Sequence, residues 1–528
     1  MSRDEKVLLS MKDITLGFGS KKKARPVVKT ISFDVMEGEI IGIVGESGSG
    51  KSVTALSIAR LLAAEGRVMG GEIWFGDQNL SQIPEKEMQN LRGREISYVF
   101  QEPMTSLNPV LTIKTQLEEV LLLHEKLGKE ERYERMLGML REVELQEPER
   151  VLSCYPHQLS GGMRQRVMIA MAMICKPRLL IADEPTTALD VTVQAKILQL
   201  LKKLKEEFHT TIILISHDLS VIKSICNRVI VMYQGQIVEQ GTIQEIFTEP
   251  KQDYTKQLLE AALLIHTVNA HEKRFKKLSG KPLLKVEDLE VAYIEKKGQR
   301  KTGKRKVVKG ISFTLQKGEI LGIVGESGCG KSTLAKAIVG LIKEESGRIV
   351  LDCERPLMVF QDPYSSLNPR KKIGWLLEEP LLLSKKYNKQ ERKDKVLEML
   401  ERVGLSKEYA DRYPSSLSGG QRQRVAIAMA MILNQGFIIL DEPVSALDVT
   451  VQEQILKLLL ELREEYGLTY LFISHDMGVI QKICDRVGVM YEGKLIELRD
   501  TEELFADPKE EYTKQLLSAV LLDESLIG

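Results

Sequence analysis

Short, unbroken apolar runs punctuate the chain, and they come in look-alike pairs. EIIGIV at 39–44 is matched by EILGIV at 319–324, and each runs into a glycine-rich turn. LLIA at 179–182 and IIL at 438–440 end on acidic residues. TIILIS at 211–216 and TYLFIS at 469–474 end on His217 and His475. Apolar runs without polar alternation predict strands buried on both faces, as in a parallel sheet covered by helices. Between Gln101 and Ser160 the composition changes. LEEVLLLHEKLGKEERYERMLGMLREV (117–143) is charged and favours helix, so it predicts an inserted helical subdomain whose apolar positions serve packing.

The pairing is an internal duplication. GIVGESGSGKS at 42–52 returns as GIVGESGCGKS at 322–332, an offset of 280. LSGGMRQR at 159–166 returns as LSGGQRQR at 417–424, and DEPTTALDVTVQ at 183–194 as DEPVSALDVTVQ at 441–452, both at an offset of 258. ISHD (215–218, 473–476) and YTKQLL (254–259, 512–517) keep that second offset. The second copy is therefore shorter, and the loss falls early. Lys51 to Gln101 spans 50 residues, whereas Lys331 to Gln361 spans 30. The repeats predict a first domain over 1–262 and a second over 283–528. The polar, basic stretch 263–282 reads as a linker.

With 528 residues the chain has room for more than one domain. Its 75 basic and 74 acidic residues nearly cancel, which argues against general affinity for nucleic acid. No apolar run approaches the roughly 18 residues that cross a bilayer. The N-terminus, MSRDEKVLLS, mixes acids with bases and does not read as a secretory signal. Any membrane part is expected to come from another chain. The six cysteines, Cys154, Cys175, Cys226, Cys329, Cys353 and Cys484, lack C-x-x-C spacing and read as reduced thiols, not as a zinc or iron–sulfur site.

Three motifs carry chemistry. GESGSGKS (Gly45, Glu46, Ser47, Gly48, Ser49, Gly50, Lys51, Ser52) and GESGCGKS (Gly325, Glu326, Ser327, Gly328, Cys329, Gly330, Lys331, Ser332) fit G-x-x-x-x-G-K-[ST] after an apolar strand. Glycines let backbone N–H groups curl around a phosphate, and the following helix offers its positive N-terminus. The lysines would reach the outer phosphates, and Ser52 and Ser332 would place a hydroxyl on Mg²⁺. Cys329 reads as a tolerated variant of that loop. Next come Asp183-Glu184 and Asp441-Glu442 at strand ends. There the aspartate would hold Mg²⁺, and the glutamate would act as general base on water.

The third motif, LSGGMRQR and LSGGQRQR, resembles the signature of the ABC family. The fold this implies is α/β: two tandem P-loop (RecA-like) ABC nucleotide-binding domains, each with a helical subdomain and a small antiparallel β subdomain. The resemblance implies that Ser160, Gly161 and Gly162 serve the nucleotide on Lys331, and Ser418, Gly419 and Gly420 the one on Lys51. The two halves would then pair head to tail, which a fused chain favours by raising effective concentration. It further assigns Gln101 and Gln361 to the Q-loop, touching Mg²⁺. Ala188-Leu189-Asp190 and Ala446-Leu447-Asp448 become the D-loop. His217 and His475 become the γ-phosphate switch, and Phe18 and Tyr293 the aromatics on adenine. Val53 departs from the usual Thr and removes one phosphate hydroxyl.

GESGSGKS, FQEPMTSLNP (100–109), FQDPYSSLNP (360–369) and DEPTTALDVTVQ are similar to the ATPases of oligopeptide, dipeptide and nickel importers. That implies a Mg²⁺-dependent ATPase on the cytoplasmic face of the cell membrane. Its partners would be two transmembrane permease subunits and an extracytoplasmic solute-binding protein, and its cargo a di- or oligopeptide, with nickel or a metal chelate as the alternative. Such ATPases often carry a cysteine-rich segment that holds an iron–sulfur cluster. The sequence is expected to lack it in both halves, so no cluster is expected. An exporter motor and a soluble ABC ATPase compete with the importer reading. The separations of 132 residues (51 to 183) and 110 (331 to 441) leave no room for the long coiled coil of a DNA-repair type. The 23 residues between YTKQLL and LLKVEDL leave none for a ribosome-acting arm. The basic stretches KKKAR (21–25) and KKGQRKTGKRK (296–306) read as solvated hairpin tips, with anionic lipid contact as the alternative.

Overall fold

A computed structural model of the chain describes residues 6–19, 24–101, 106–186, 191–266, 282–297, 300–362, 366–445 and 447–524. The chain divides into two compact units at Ala262/Leu263. That division lies within the helix Asp253–His266, which therefore enters the stretch expected to be linker. Residues 267–281 of that stretch lie outside the described residues.

The first unit holds β1 (Val7–Phe18), β2 (Arg25–Met36), β3 (Ile40–Val44), β4 (Gly66–Phe75), β5 (Gln78–Asn79), β6 (Ile96–Val99), β7 (Leu179–Asp183), β8 (Thr211–Ile215), β9 (Arg228–Tyr233) and β10 (Gln236–Thr242). The second holds β11 (Pro282–Lys297), β12 (Arg300–Gln316), β13 (Ile320–Val324), β14 (Ser346–Leu351), β15 (Leu357–Val359), β16 (Phe437–Asp441), β17 (Thr469–Ile473), β18 (Arg486–Tyr491) and β19 (Lys494–Asp500). Each unit has a six-stranded sheet, in the order β10-β9-β3-β8-β7-β6 and β15-β16-β17-β13-β18-β19. In each sheet five strands are parallel and one edge strand, β10 or β19, runs antiparallel. A separate antiparallel sheet accompanies each: β2-β1-β4-β5 and β12-β11-β14.

The central strands are buried throughout, and the period of two explains why they read as unbroken apolar runs. In β3, Ile40 and Val44 enter a core shared with the helices, while Ile41 and Ile43 enter the core under the antiparallel sheet. In β16, Ile438 and Leu440 take the first side, and Phe437 and Ile439 the second. The inserted segment forms the helices Ile113–His124 and Lys129–Glu142. Their Leu117, Leu121, Met136 and Leu140 pack into the same core as Val167 and Ile169 of the helix Gly161–Met173.

The length difference has a structural counterpart. Between β4 and β6 the first unit inserts β5 and the helix Glu85–Leu91, held by an Arg92–Glu85 ion pair and by Arg92 Nε donating to the Ala59 carbonyl. The second unit passes from β14 at Leu351 to β15 at Leu357. Among the described residues no helix is long and apolar enough to cross a membrane.

Candidate functional site

Each glycine-rich loop links the C-terminal end of a central strand, β3 or β13, to a helix starting at its lysine: Lys51–Ile58 or Lys331–Val339. Gly45 has φ 147°, and a Cβ there would lie 2.1 Å from the Met232 carbonyl oxygen. Gly325 repeats this, with φ 148° and 2.2 Å to the Met490 oxygen. Only glycine fits that turn. Lys51 is buried; its Nζ donates to the carbonyls of Gly45 (2.6 Å) and Glu46 (2.9 Å). Lys331 does the same to Gly325 (2.6 Å) and Glu326 (3.0 Å). The ammonium is thus parked beside the backbone cradle that an anion would fill.

Ser52 opens the helix and donates to Asp183 Oδ1 at 3.1 Å; Ser332 donates to Asp441 Oδ1 at 3.1 Å. The chain brings these pairs together from β3 and β7, and from β13 and β16, across the parallel sheet. Burial pushes both aspartates above the usual carboxylate range, against the opposing pull of the serine hydrogen bonds. Hydroxyl and carboxylate oxygens are the hard donors that Mg²⁺ takes beside substrate phosphates, so this pair fits that ion.

Glu184 and Glu442 sit one residue past the strand in the left-handed region, at φ 47° and 49°. Non-glycine residues hold this conformation only where the surroundings enforce it. Here the Glu184 N–H donates to the Ile215 carbonyl at 3.0 Å, and the Glu442 N–H to that of Ile473 at 2.9 Å. Gln101 Nε2 donates to Glu184 Oε2 at 2.7 Å, and His217 Nδ1 lies 3.2 Å from the same oxygen. Gln361, Glu442 and His475 repeat the triplet at 2.7 and 3.2 Å. Burial favours neutral groups, but the hydrogen bond and charge of Glu184 outweigh it and hold His217 above its ordinary range. In the second unit burial raises Glu442, yet the His475 hydrogen bond and the charges of His475 and Lys331 bring it below the carboxylate range. In both directions the contact favours a carboxylate facing an imidazolium.

Ser160 caps the helix Gly161–Met173 by accepting the Met163 N–H, and Ser418 caps Gly419–Met431 by accepting the Gln421 N–H. Gly162 and Gly420 face the next helix closely: a Cβ would lie 2.8 Å from Val193 Cγ1 and 2.4 Å from Val451 Cγ1. The side-chain hydrogen bonds of Ser160 and Ser418 stay within their own helix starts. Among the described residues, neither is tied to the phosphate loop of its own unit through such a bond.

Phe18 ends β1. Tyr293, in β11, is exposed, and its hydroxyl is 3.3 Å from Thr333 Oγ1. Phe18 and Val53 lack both hydroxyls. Asp448 caps the helix Val449–Tyr466, whereas Ala188-Leu189-Asp190 and Ala446 lie outside the described residues. Sequence reasoning missed Tyr98, which hydrogen-bonds Asp183, and left the tyrosines of YTKQLL without a role.

A phosphate loop, a Ser–Asp pair and a Gln–Glu–His triplet on a parallel sheet, present twice, define a tandem P-loop nucleotide hydrolase. Residues 28–187 and 308–445 match the family described as ABC transporter, and 238–288 match the oligopeptide/dipeptide transporter, C-terminal region. The glutathione import ATP-binding protein GsiA of Salmonella choleraesuis (strain SC-B67) is 43% identical over 560 residues, covering 98% of this chain and 90% of that protein. GsiA of Escherichia coli (strain K12) is 42% identical over 565 residues with the same coverage. A dimeric, ADP- and Pi-bound ATP-binding cassette aligns to 44% of this chain and 98% of its own at 32% identity, with a TM-score of 0.41. The chain belongs to the ABC transporter ATP-binding family, in its peptide-importer branch, and is an ATP-binding ATPase.

Residues 238–288, matched to the family's C-terminal region, overlap the stretch read as linker. That region contains no cysteine here.

Proposed function

We propose that this chain energises a membrane importer of short peptides, with both of its ATPases on one polypeptide. The Gln–Glu–His triplet beside the Ser–Asp pair, present in both units, is the observation that carries the hydrolytic reading. Lys51, Lys331 and the loop N–H groups hold the phosphates. Ser52 with Asp183, and Ser332 with Asp441, would hold Mg²⁺, and the side-chain carbonyl oxygens of Gln101 and Gln361 would serve as further ligands. Mg²⁺ supplies charge neutralisation on the phosphate oxygens. Glu184 and Glu442 take the proton of the attacking water, and His217 and His475 orient the γ-phosphate. Phe18 and Tyr293 stack on adenine.

Domains 1–262 and 283–528, with 263–282 between them, pair head to tail. Ser160, Gly161 and Gly162 then complete the site of Lys331, and Ser418, Gly419 and Gly420 that of Lys51. The chain works at the cytoplasmic face with two permease subunits and an extracytoplasmic binding protein. The named role of its relatives in glutathione import supports a peptide of about that size as cargo.

The test is uptake by intact cells. Deletion of the chain, or Lys51→Ala with Lys331→Ala, should abolish uptake of labelled glutathione or of di- and oligopeptides. Nickel uptake is measured in parallel. Loss of nickel uptake alone moves the cargo to the metal, and a change in efflux with no change in uptake removes the importer reading.

A further inference from the structure

The repeated YTKQLL segment puts a tyrosine hydroxyl on each phosphate loop. Tyr254 opens the helix Asp253–His266, and its hydroxyl oxygen accepts the backbone N–H of Glu46 at 3.1 Å. Tyr512, in the helix Glu511–Glu524, accepts that of Glu326 at 3.0 Å. Each ring packs on the tyrosine that ends the neighbouring strand: Tyr254 stacks on Tyr233 at 4.1 Å between centroids, and Tyr512 lies against Tyr491 at 4.3 Å, tilted by 40°.

The rest of the motif fixes the tyrosine in place. Leu258 and Leu259 are buried in the helical core of the first unit, and Leu516 and Leu517 in that of the second. The turn before each helix is held by an acid on the antiparallel edge strand. Glu239 accepts the N–H groups of Lys251 (2.8 Å) and Gln252 (3.1 Å). Glu497 accepts those of Lys509 (3.0 Å) and Glu510 (3.2 Å).

The peptide plane between Gly45 and Glu46 is therefore tied at both polar atoms. Its carbonyl takes Lys51 Nζ at 2.6 Å, and its N–H goes to Tyr254. Gly325–Glu326 is tied identically by Lys331 and Tyr512. When the lysine turns towards a phosphate, the carbonyl tie weakens and the tyrosine tie remains. The helix starting at Lys51 turns its positive N-terminus towards the anion.

We propose that Tyr254 and Tyr512 are positioning residues of the two ATP sites, each holding the first peptide of the phosphate loop in its cradle shape. This rests on the ATP-site reading above and gives the C-terminal region of each unit a part in nucleotide binding. Preorganisation of this kind raises affinity without touching the reacting atoms.

The test uses the full chain with Tyr254→Phe and Tyr512→Phe together, which keeps both ring contacts and removes both hydroxyls. Fluorescent mant-ATP titration should show affinity weakened about threefold to tenfold, the worth of one neutral hydrogen bond at each site. KM for ATP should rise with it while kcat holds. In the nucleotide-free variant, amide exchange across residues 45–50 and 325–330 should quicken. Affinity and loop exchange equal to the parent's would overturn the proposal, as would a fall in kcat with KM unchanged. Loop exchange decides the matter even if the variant is less stable, because it compares this segment with the rest of the same molecule. The parent's own binding of mant-ATP separately tests the site itself.

Discussion

The hydroxyl of Tyr98 donates a 2.7 Å hydrogen bond to Oδ2 of Asp183, the carboxylate whose other oxygen accepts from Ser52. Burial, then the Asp183 charge, pushes that phenol far above its ordinary range. Met358 occupies the matching place on β15. Asp441 thus keeps its serine bond without a phenolic partner at that position. Two sites with the same motifs are built differently beneath them.

That difference predicts an asymmetric stability response. Tyr98→Phe removes a donor to a buried carboxylate and should destabilise the first unit by about 1.5–3 kcal/mol. Met358→Leu, a volume-conserving swap, should cost the second unit less than about 1.5 kcal/mol. The two tryptophans separate the readings, since Trp74 lies in the first unit and Trp375 in the second. Urea unfolding in Trp375→Phe and Trp74→Phe backgrounds should show the Tyr98→Phe shift in the first background alone. A shift of equal size in both would refute the local account.

Glu184→Gln with Glu442→Gln preserves side-chain volume but removes the base. ATP binding should persist, with turnover lower by roughly two or more orders of magnitude. Steady-state phosphate release and mant-ATP binding, run on the same preparation, check this. Near-normal release would take the general-base role from both residues.

The two triplets share their distances, 2.7 Å from glutamine to glutamate and 3.2 Å from histidine to glutamate. Both sites should therefore hydrolyse ATP. Glu184→Gln and Glu442→Gln, made singly, should each lose about half or more of the activity, since each disables a competent site. A single variant that hydrolysed ATP and supported transport like the parent would mark its site as non-catalytic.

Anaerobically purified protein should be colourless and free of stoichiometric iron. The C-terminal region at 238–288 has no cysteine, and none of the six cysteines is spaced as C-x-x-C. Iron analysis with a visible spectrum checks this, and a cluster-type band with matching iron would contradict it.

Much of the site was legible because its parts are local. A glycine that must turn at φ 147°, a lysine six residues on and a strand buried on both faces each constrain a few consecutive residues, so they leave a motif. Duplication sharpened the reading, since YTKQLL and ISHD stand out only when seen twice. It also located the missing stretch of the second unit. The loss of β5 and of a helix equivalent to Glu85–Leu91 required the structure.

The sequence by itself determined the fold class, the duplication and the chemical inventory, because strand burial and phosphate cradling follow from short-range rules. The tertiary structure alone decided which distant groups meet. Tyr98 reaches Asp183 because β6 lies parallel to β7 with Tyr98 opposite Ile181, and residues two apart on a strand share a face. Tyr254 reaches Glu46 across 208 residues because its helix is held against the core by Leu258 and Leu259. Such contacts depend on strand register and helix docking, which are fixed by packing over the whole unit, so a tyrosine's partner leaves no mark in the residues beside it.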